Sequence, residues 1–253
     1  MPKLPADAGN LRSRADFQIA DLFGVDEFEW DNVRTGIEAF EIPDGSGGVN
    51  PGDRRAIYNL VRMLRPEAVL EVGTHIGAST VHIASALDRN RVPGESYCAG
   101  LVSVDIRDVN DPVSTPWVRA GADSSPSEMI VELGFAGFVD FVEETSLSFL
   151  RRLEEPRFDF IFLDGSHDAA NVYQEIPLAL RALKPNGLIL LHDYFPNLEP
   201  LWSNNAVVAG PYLATERLRG EGATIVALPL GRLPWPTKLG SDVSSLAVLA
   251  KDG

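Results

Sequence analysis

Short apolar runs alternate with amphipathic segments along most of this chain. Seven of the runs are short enough to form buried strands, and they span residues 68–72, 101–105, 139–142, 158–163, 188–191, 224–230 and 245–250. Between the runs, apolar residues recur at helical spacing, for example at Ile57, Leu60, Val61 and Leu64. Apolar strands that alternate with helices are typical of a parallel sheet with both faces covered. The pattern therefore predicts an α/β fold with seven strands and helices on both faces of the sheet.

Capping residues, proline and glycine indicate where the helices begin and end. Asn50 can accept a hydrogen bond at a helix start and Pro51 fits a first turn, so a helix is predicted from residue 51 until Pro66 stops it. Further helices are predicted near residues 16–23, 77–88, 127–133, 168–183 and 212–218. Residues 184–187 contain a proline and a glycine and are predicted to form a turn before the fifth strand.

The first 49 residues differ from the rest of the chain, because they are acidic and interrupted by proline and glycine. We interpret residues 1–49 as an N-terminal arm or cap, and residues 50–253 as one domain. A chain of 253 residues with 45% hydrophobic residues can bury a sizeable core.

The charge and the cysteine content restrict the partners of the chain. Its formal net charge of −14 repels nucleic-acid phosphates and anionic membrane surfaces, so we expect neither as a partner. No stretch approaches the roughly 20 apolar residues of a membrane span, and the first residues lack an apolar signal core. Cys98 is the single cysteine, so no internal disulfide can form. We therefore expect a cytoplasmic protein.

The first strand ends in a strand–turn–helix motif with two glycines. Gly73 and Gly77 stand four residues apart, directly after the strand and before a helix that opens at Ser79. Such a turn brings backbone close to a ligand. The spacing departs from the G-x-G-x-x-G pattern of dinucleotide folds, and Glu71 would repel a pyrophosphate. Glu71 suits a cationic or amine-bearing ligand, although it could instead organise the turn through backbone N–H groups.

The segment from Glu71 to Ser79 resembles the first motif of class I S-adenosylmethionine-dependent methyltransferases. Its G-x-x-x-G-x-S form is similar to that of small-molecule O-methyltransferases, such as the catechol and caffeoyl-CoA types. The resemblance implies a Rossmann-like fold with a mostly parallel sheet whose last strand is antiparallel. It also implies that Glu71 and the turn through Gly73, Thr74 and Gly77 lie at the methionine part of the cofactor, whose carboxylate Ser79 binds.

Three further positions, Asp105, Ser146 and Asp164, are predicted to contact S-adenosylmethionine, and Asp164 is also predicted to take part in catalysis. Asp105 ends the second strand, where a carboxylate can accept hydrogen bonds from two ribose hydroxyls, although it could also cap a helix. The segment that contains Ser146 follows the third strand, and the resemblance implies that this segment contacts the adenine.

Ionisable side chains follow the fourth and fifth strands directly. Asp164 ends one run, and His192 with Asp193 ends the next. Since the tips of adjacent parallel strands meet, these side chains are predicted to form a divalent-metal site. The D-G-x-H pattern resembles bacterial magnesium-dependent O-methyltransferases that act on macrolide and aminocoumarin sugars. Asp164 and Asp193 match the metal ligands of that branch. His192 stands where the branch has an acidic residue, which favours an ion softer than magnesium.

His167 lies three residues after Asp164, where the resemblance implies a general base. A histidine pKa of about 6.5 suits proton removal near neutral pH. Alternatively, His167 could cap the next helix, a role for which Asp168 competes. Alternatively, His192 could act as a base in a site without metal, or it could hydrogen bond to the metal ligands without binding the metal itself.

These residues predict an S-adenosylmethionine-dependent O-methyltransferase. The predicted acceptor is a hydroxyl of a small molecule, such as a natural product, phenol or sugar of secondary metabolism, with metal assistance and His167 as base. The alternatives are a metal-independent N-methyltransferase, a cyclase or isomerase on the same fold, and a protein that only senses the cofactor. A second ionisable cluster argues against a pure binding protein. Homo-oligomer formation stays open.

Overall fold

A computed structural model describes residues 27–44 and 48–251. The seven strands within these residues are β1 (Ala68–Val72), β2 (Gly100–Asp105), β3 (Val139–Glu143), β4 (Phe158–Leu163), β5 (Leu183–Leu191), β6 (Ile225–Pro229) and β7 (Ala247–Lys251). The helices are α1 (Glu27–Glu38), α2 (Pro51–Leu64), α3 (Ala78–Arg89), α4 (Pro116–Arg119), α5 (Pro126–Glu132), α6 (Ser146–Arg151), α7 (Ala169–Ala182) and α8 (Gly210–Gly220). The helix predicted near residues 16–23 lies outside the described residues.

All seven strands form one sheet in the order β3-β2-β1-β4-β5-β7-β6. The first five run parallel, and β7 is antiparallel to both β5 and β6. The predicted mostly parallel sheet with an antiparallel last strand is therefore confirmed. The chain builds outward from β1 to β3 and then returns to place β4 beside β1. Ligands of such sheets bind at this reversal, beyond the carboxyl ends of the strands.

Two apolar cores cover the two faces of the sheet. Successive residues of β4 alternate between them, with Phe160 and Phe162 in one core and Ile161 and Leu163 in the other. This alternation follows from the two-residue period of a strand. Side chains of α1, α2, α3 and α5 fill the first core, and those of α6, α7 and α8 fill the second. The prediction of helices on both faces is thus confirmed.

Helix α1 lies in the segment predicted as an arm, and the sequence analysis did not find it. Trp30, Val33 and Ile37 bury the apolar face of α1 in the first core. Glu29 on the same helix accepts hydrogen bonds from Arg62 at 2.6 Å and from Tyr58. The described part of residues 1–49 therefore packs directly on the sheet domain, while the boundary at residue 49 stays a prediction.

The turn predicted at residues 184–187 is wrong, because these residues belong to β5. Phe158 pairs with Leu183, and Phe160 pairs with Leu188, so the strand bulges between the two pairs. Lys184 Nζ lies 3.1 Å from the Asp159 carboxylate beside this bulge. A proline and a glycine therefore mark an irregular strand here, not its boundary.

Among the described residues, the helices are all too short or too polar to cross a membrane.

Candidate functional site

A cavity of about 630 Å³ opens at the carboxyl ends of β1, β2, β3 and β4. Backbone and side chains from four strand ends reach it, because the register brings the tips of these strands to one level. Four predicted site residues with polar side chains line this cavity, namely Asp105, Ser146, Asp164 and His167. Ser166 and Glu175, which were not predicted, also line it. The cavity therefore occupies the position that the topology predicts for a ligand.

The glycine turn after β1 is held tightly against the end of β4. Gly73 has a φ of 96° and its N–H donates to the carbonyl of Val104 at 2.8 Å. A Cβ at residue 73 would lie 2.3 Å from the carbonyl oxygen of Asp164, a distance that no side chain tolerates. Only glycine therefore allows β1 and β4 to meet here and shape the cavity wall.

Glu71 is fully buried and is bound by hydroxyl groups. Its carboxylate accepts hydrogen bonds from Ser79 at 2.5 Å and from Thr80 and Ser103 at 2.6 Å. Thr74 extends the cluster through a 2.7 Å contact with Ser103. Burial raises the pKa of Glu71 to about 7, although the three hydroxyls act in the opposite direction. Glu71 thus organises the turn, as the alternative interpretation has it, but through side-chain hydroxyls and not through backbone N–H groups.

Only half of the predicted cofactor contacts reach the cavity. Those that line it are Gly73, Asp105, Ser146 and Asp164. Those that do not line it are Glu71, Thr74, Gly77 and Ser79. A Cβ at Gly77 would face Pro126 of α5 at 3.0 Å, and the Ser79 hydroxyl is engaged by Glu71. The roles of the second group in cofactor binding stay predictions.

Asp105 presents a fixed carboxylate to the cavity from the end of β2. Its Oδ2 accepts from the backbone N–H of His75 at 3.0 Å, and its Oδ1 accepts from that of Arg107 at 3.2 Å. The next helix begins at Pro116 with Thr115 as its cap, so the helix-cap alternative for Asp105 is wrong. The carboxylate is therefore oriented by two loop N–H groups and can accept further hydrogen bonds from a ligand.

The ionisable residues after β4 and β5 come together as predicted. His192 Nδ1 lies 2.7 Å from Oδ1 of Asp164. His167 Nε2 lies 3.6 Å from the same oxygen and 3.2 Å from Oδ2 of Asp193. Asp168 caps α7 by accepting hydrogen bonds from the N–H groups of Ala170 and Asn171, so the capping alternative for His167 is wrong.

The set of donor atoms that could share one metal ion differs from the predicted set. One donor atom each from Asp164, His167 and His192 lies within 4.8 Å of the other two. Asp193, predicted as a ligand, stands beside this set, with Oδ1 3.7 Å from His192 Nδ1. The geometry therefore places His167, the predicted base, among the candidate ligands.

Opposite charges control protonation in this cluster. Burial lowers the pKa of His192, but the negative charges of Asp164 and Asp193 outweigh it and raise the pKa to about 10. Burial raises the pKa of Asp164, but the charge of His192 and hydrogen bonds from both histidines outweigh it, so that the pKa is lowered. A hydrogen bond to Asp164 raises the pKa of His167. A metal ion must therefore displace protons from the imidazoles to bind here.

Asp53 is a site residue that the sequence analysis missed. It is fully buried in the first turn of α2, and its Oδ2 lies 3.8 Å from Nε2 of His192. Asn50 at 2.7 Å and the hydroxyl of Ser245 at 3.0 Å donate to the same oxygen. Oδ1 of Asp53 and Nε2 of His192 have no hydrogen-bond partner among the described residues. Sequence alone favours a helix-dipole role for such an aspartate, and only packing brings it behind His192.

Glu175 is a second missed residue. It lies on α7, is 2% exposed and accepts a hydrogen bond from the hydroxyl of Ser146. The available sequence signal is that this acidic residue falls on the buried face of α7, between Val172 and Ile176.

Comparison with known proteins gives a family match over the centre of the chain. The family model described as "Methyltransferase domain" matches residues 70–194, which include the end of β1, the cavity-lining residues other than Gly48, and the Asp164–His192 cluster. A curated protein from Mycobacterium sp. (strain JLS), named as a candidate O-methyltransferase, is 25% identical over 186 residues. That match covers 73% of this chain and 74% of the relative.

Solved structures share the whole fold. A candidate O-methyltransferase from Klebsiella pneumoniae superimposes with a TM-score of 0.55 at 20% identity, covering 92% of this chain and 93% of the other. The O-methyltransferase TomG from Streptomyces achromogenes, solved with S-adenosylmethionine and involved in tomaymycin synthesis, superimposes with a TM-score of 0.54 at 19% identity, covering 92% of each chain. At these identities the likeness establishes the fold.

Proposed function

Because the chain belongs to the class I S-adenosylmethionine-dependent methyltransferases, we propose that it transfers a methyl group to a hydroxyl oxygen of a small molecule. One observation carries this proposal. The cavity that presents Asp105 also contains Asp164 and His167, and Asp164 lies close to both His192 and His167 at the same sheet edge. A cofactor site and a site for proton removal thus adjoin.

The chain's residues fit the proposed cofactor in size and charge. A cavity of about 630 Å³ is within the range of small-molecule sites. The Asp105 carboxylate, fixed by two N–H groups, can accept from the vicinal hydroxyls of a ribose. Asp164 keeps a negative charge near the reacting end, because His192 and His167 lower its pKa. A negative charge there favours a sulfonium over its neutral product.

The donor set fits a divalent transition-metal ion. One carboxylate and two imidazoles with donor atoms within 4.8 Å of one another favour ions such as Mn, Fe, Co, Ni or Zn over magnesium. Such an ion would be held by Asp164 and His192 with His167 or Asp193. When bound, it would lower the pKa of an acceptor hydroxyl. Asp53, buried behind His192, can orient the imidazole from its other side.

His167 is the proposed base, and it is the most accessible ionisable group of the cluster, with 45% of its side chain exposed. In the reaction, a lone pair of the acceptor oxygen forms a bond to the methyl carbon while the carbon–sulfur bond breaks. The electron pair of that bond stays on sulfur, and S-adenosylhomocysteine leaves as a neutral thioether. His167 Nε2 accepts the hydroxyl proton, and Asp164 and Asp193 stabilise the charge that forms.

A natural product, phenol or sugar-like compound remains our proposed acceptor, and the cytoplasm our proposed location. The net charge of −14 supports a neutral or cationic small acceptor over a nucleic acid.

The direct test incubates the protein with methyl-labelled S-adenosylmethionine, a divalent ion and a panel of catechols, hydroxycinnamates and sugars. Mass spectrometry should find the label on oxygen of at least one acceptor class, together with S-adenosylhomocysteine. The Asp164→Asn protein should form the product far more slowly. Label on nitrogen, or an isomerised acceptor without label, would instead support the alternative activities.

A further inference from the structure

Glu175 is a buried carboxyl group that lines the cavity beside Ser146. It is 2% exposed and lies on α7, one helical turn after Asn171, which also lines the cavity. Its neighbours on the buried face of α7, Val172, Ile176 and Ala179, are apolar. A carboxyl group at such a position costs free energy unless partners satisfy it.

The protein itself satisfies only part of this carboxyl group. Within the described part of the chain, the Ser146 hydroxyl is the group that donates to it, through Oε1. Two of the described arginines line the cavity: Arg151 donates to Gln174 at 3.0 Å, and Arg107 lies 3.5 Å from the Asp105 carboxylate. Burial raises the pKa of Glu175, and the hydrogen bond from Ser146 opposes that rise. The second oxygen of the carboxyl group is thus available to a donor in the cavity.

The order of the strands gives the direction of the cofactor along the sheet edge. Asp105 ends β2, and Gly73 and Asp164 follow β1 and β4 on one side of it. Ser146 opens α6 after β3, on the other side. Neighbouring strands lie about 4.8 Å apart. A nucleoside with its ribose at Asp105 and its sulfur toward Asp164 therefore extends its base toward Ser146 and Glu175.

We infer that Glu175 recognises the exocyclic amino group of the purine of the cofactor and makes the site specific for adenine. This inference rests on the proposed use of S-adenosylmethionine. The amino group donates a hydrogen bond that a carboxylate oxygen accepts. A 6-oxopurine has a carbonyl oxygen at that position, which the carboxylate repels and leaves unpaired. Glu175 is thus a binding residue for the base, and Ser146 positions it.

The test measures the binding of S-adenosylhomocysteine and S-inosylhomocysteine by calorimetry. These ligands differ only at the N1–C6 edge of the purine, where the adenosyl ligand has an amino group beside an unprotonated N1 and the inosyl ligand has a carbonyl oxygen beside a protonated N1. The unmodified protein should prefer the adenosyl ligand by on the order of tenfold to a hundredfold, the scale of a hydrogen bond to a charged group. Glu175→Ala should bring the two Kd values close together. Glu175→Gln, whose amide can donate to a carbonyl, should shift the ratio toward the inosyl ligand.

Matched variants separate base recognition from general damage. Exposed Glu155 lies outside the cavity, so Glu155→Gln should keep the unmodified ratio. Asp105→Ala should weaken both ligands alike. If a thermal melt shows that Glu175→Ala is not folded, the test uses the nearly isosteric variant Glu175→Gln alone.

Two results would overturn the inference in distinguishable ways. Equal affinity of the unmodified protein for both ligands, or an unchanged ratio in Glu175→Gln, rejects the role of Glu175 alone. If neither ligand binds the unmodified protein, the proposed cofactor is wrong and the inference fails with it.

Discussion

Nδ1 of His192 lies 2.7 Å from Oδ1 of Asp164, which joins the tips of β5 and β4. On the other side of the imidazole, Nε2 faces Asp53 at 3.8 Å. A carboxylate on each side favours the doubly protonated ring, in agreement with a His192 pKa raised to about 10. The cluster is therefore assembled around a buried positive charge, whose position a metal ion can take after the protons leave.

Replacing Asp164 by asparagine should stop catalysis while the cofactor still binds. The variant loses the negative charge that balances His192 and that the metal site needs. We expect kcat to fall by roughly 10²–10³-fold, the scale for a lost electrostatic partner, with a nearly unchanged Kd for S-adenosylhomocysteine. Exposed Asp140 on β3 supplies the control, since Asp140→Asn should change neither value. Full turnover of Asp164→Asn would remove Asp164 from the reaction.

Metal removal should abolish turnover. A protein treated with chelator and then desalted should regain activity with Mn²⁺, Co²⁺, Ni²⁺ or Zn²⁺ more readily than with Mg²⁺, because His192 offers an imidazole nitrogen. His192→Asn should lower the affinity for the transition-metal ions and so reduce their advantage over Mg²⁺ in restoring activity. Retention of full activity by protein shown by elemental analysis to be metal-free would contradict the metal-assisted mechanism.

His167 can act as base or as metal ligand, and its alanine variant distinguishes the two. As base, His167→Ala should lower kcat by roughly 10²–10⁴-fold with an unchanged metal Kd. If His167 is instead a metal ligand, His167→Ala should lower the affinity for the metal, measured by calorimetry with Co²⁺ or Mn²⁺ alone. We expect the first result, because 45% of this side chain is exposed whereas His192 is buried. Near-normal kcat together with weakened metal binding would exclude the base role.

Glu71 should make the fold less stable as the pH rises. Its pKa is about 7 in the folded protein, against an ordinary value of 4.5, mainly because of burial. Between these values the folded carboxyl keeps a proton that the unfolded chain has lost, so the free energy of unfolding decreases as the pH rises through this window. The total loss amounts to about 3 kcal/mol.

Urea unfolding at several pH values between 4.5 and 8 measures this dependence. The side chain of Glu71→Gln cannot ionise. As the pH rises from 4.5 to 8, its free energy of unfolding should therefore increase relative to that of the unmodified protein. Glu155→Gln, a change at an exposed residue, should leave the pH dependence of the free energy of unfolding unchanged. A constant difference between Glu71→Gln and the unmodified protein would show that Glu71 is ionised throughout.

The sheet and the cluster at its edge could be predicted from the sequence, because both follow from rules about strands. Apolar runs located β1 to β7, and side chains just after parallel strands share one edge, so Asp164 and His192 had to meet. The residues behind the cavity could not be predicted in this way. Asp53 and Glu175 are on helices, and their contacts depend on how α2 and α7 pack against strand ends and loops far away in the chain.

The contacts of individual motif residues could not be predicted from their spacing. Ser79 stands at the position expected for cofactor binding, yet its hydroxyl donates to the buried Glu71. Spacing along the chain does not reveal that the acid is buried and needs hydroxyl donors. In the same way, Pro185 and Gly187 suggest a turn, whereas both residues belong to β5, which bulges where it pairs with β4.

Calorimetric titration of S-adenosylhomocysteine into the unmodified protein and Asp105→Ala tests the central claim most directly. The account predicts saturable binding to the unmodified protein, and an increase in Kd on the order of tenfold to a hundredfold in Asp105→Ala, because two ribose hydroxyls lose a charged acceptor. A thermal melt without ligand should show that the variant is folded. Failure of the unmodified protein to bind, or equal affinity in both proteins, would contradict the placement of the cofactor at this edge of the sheet.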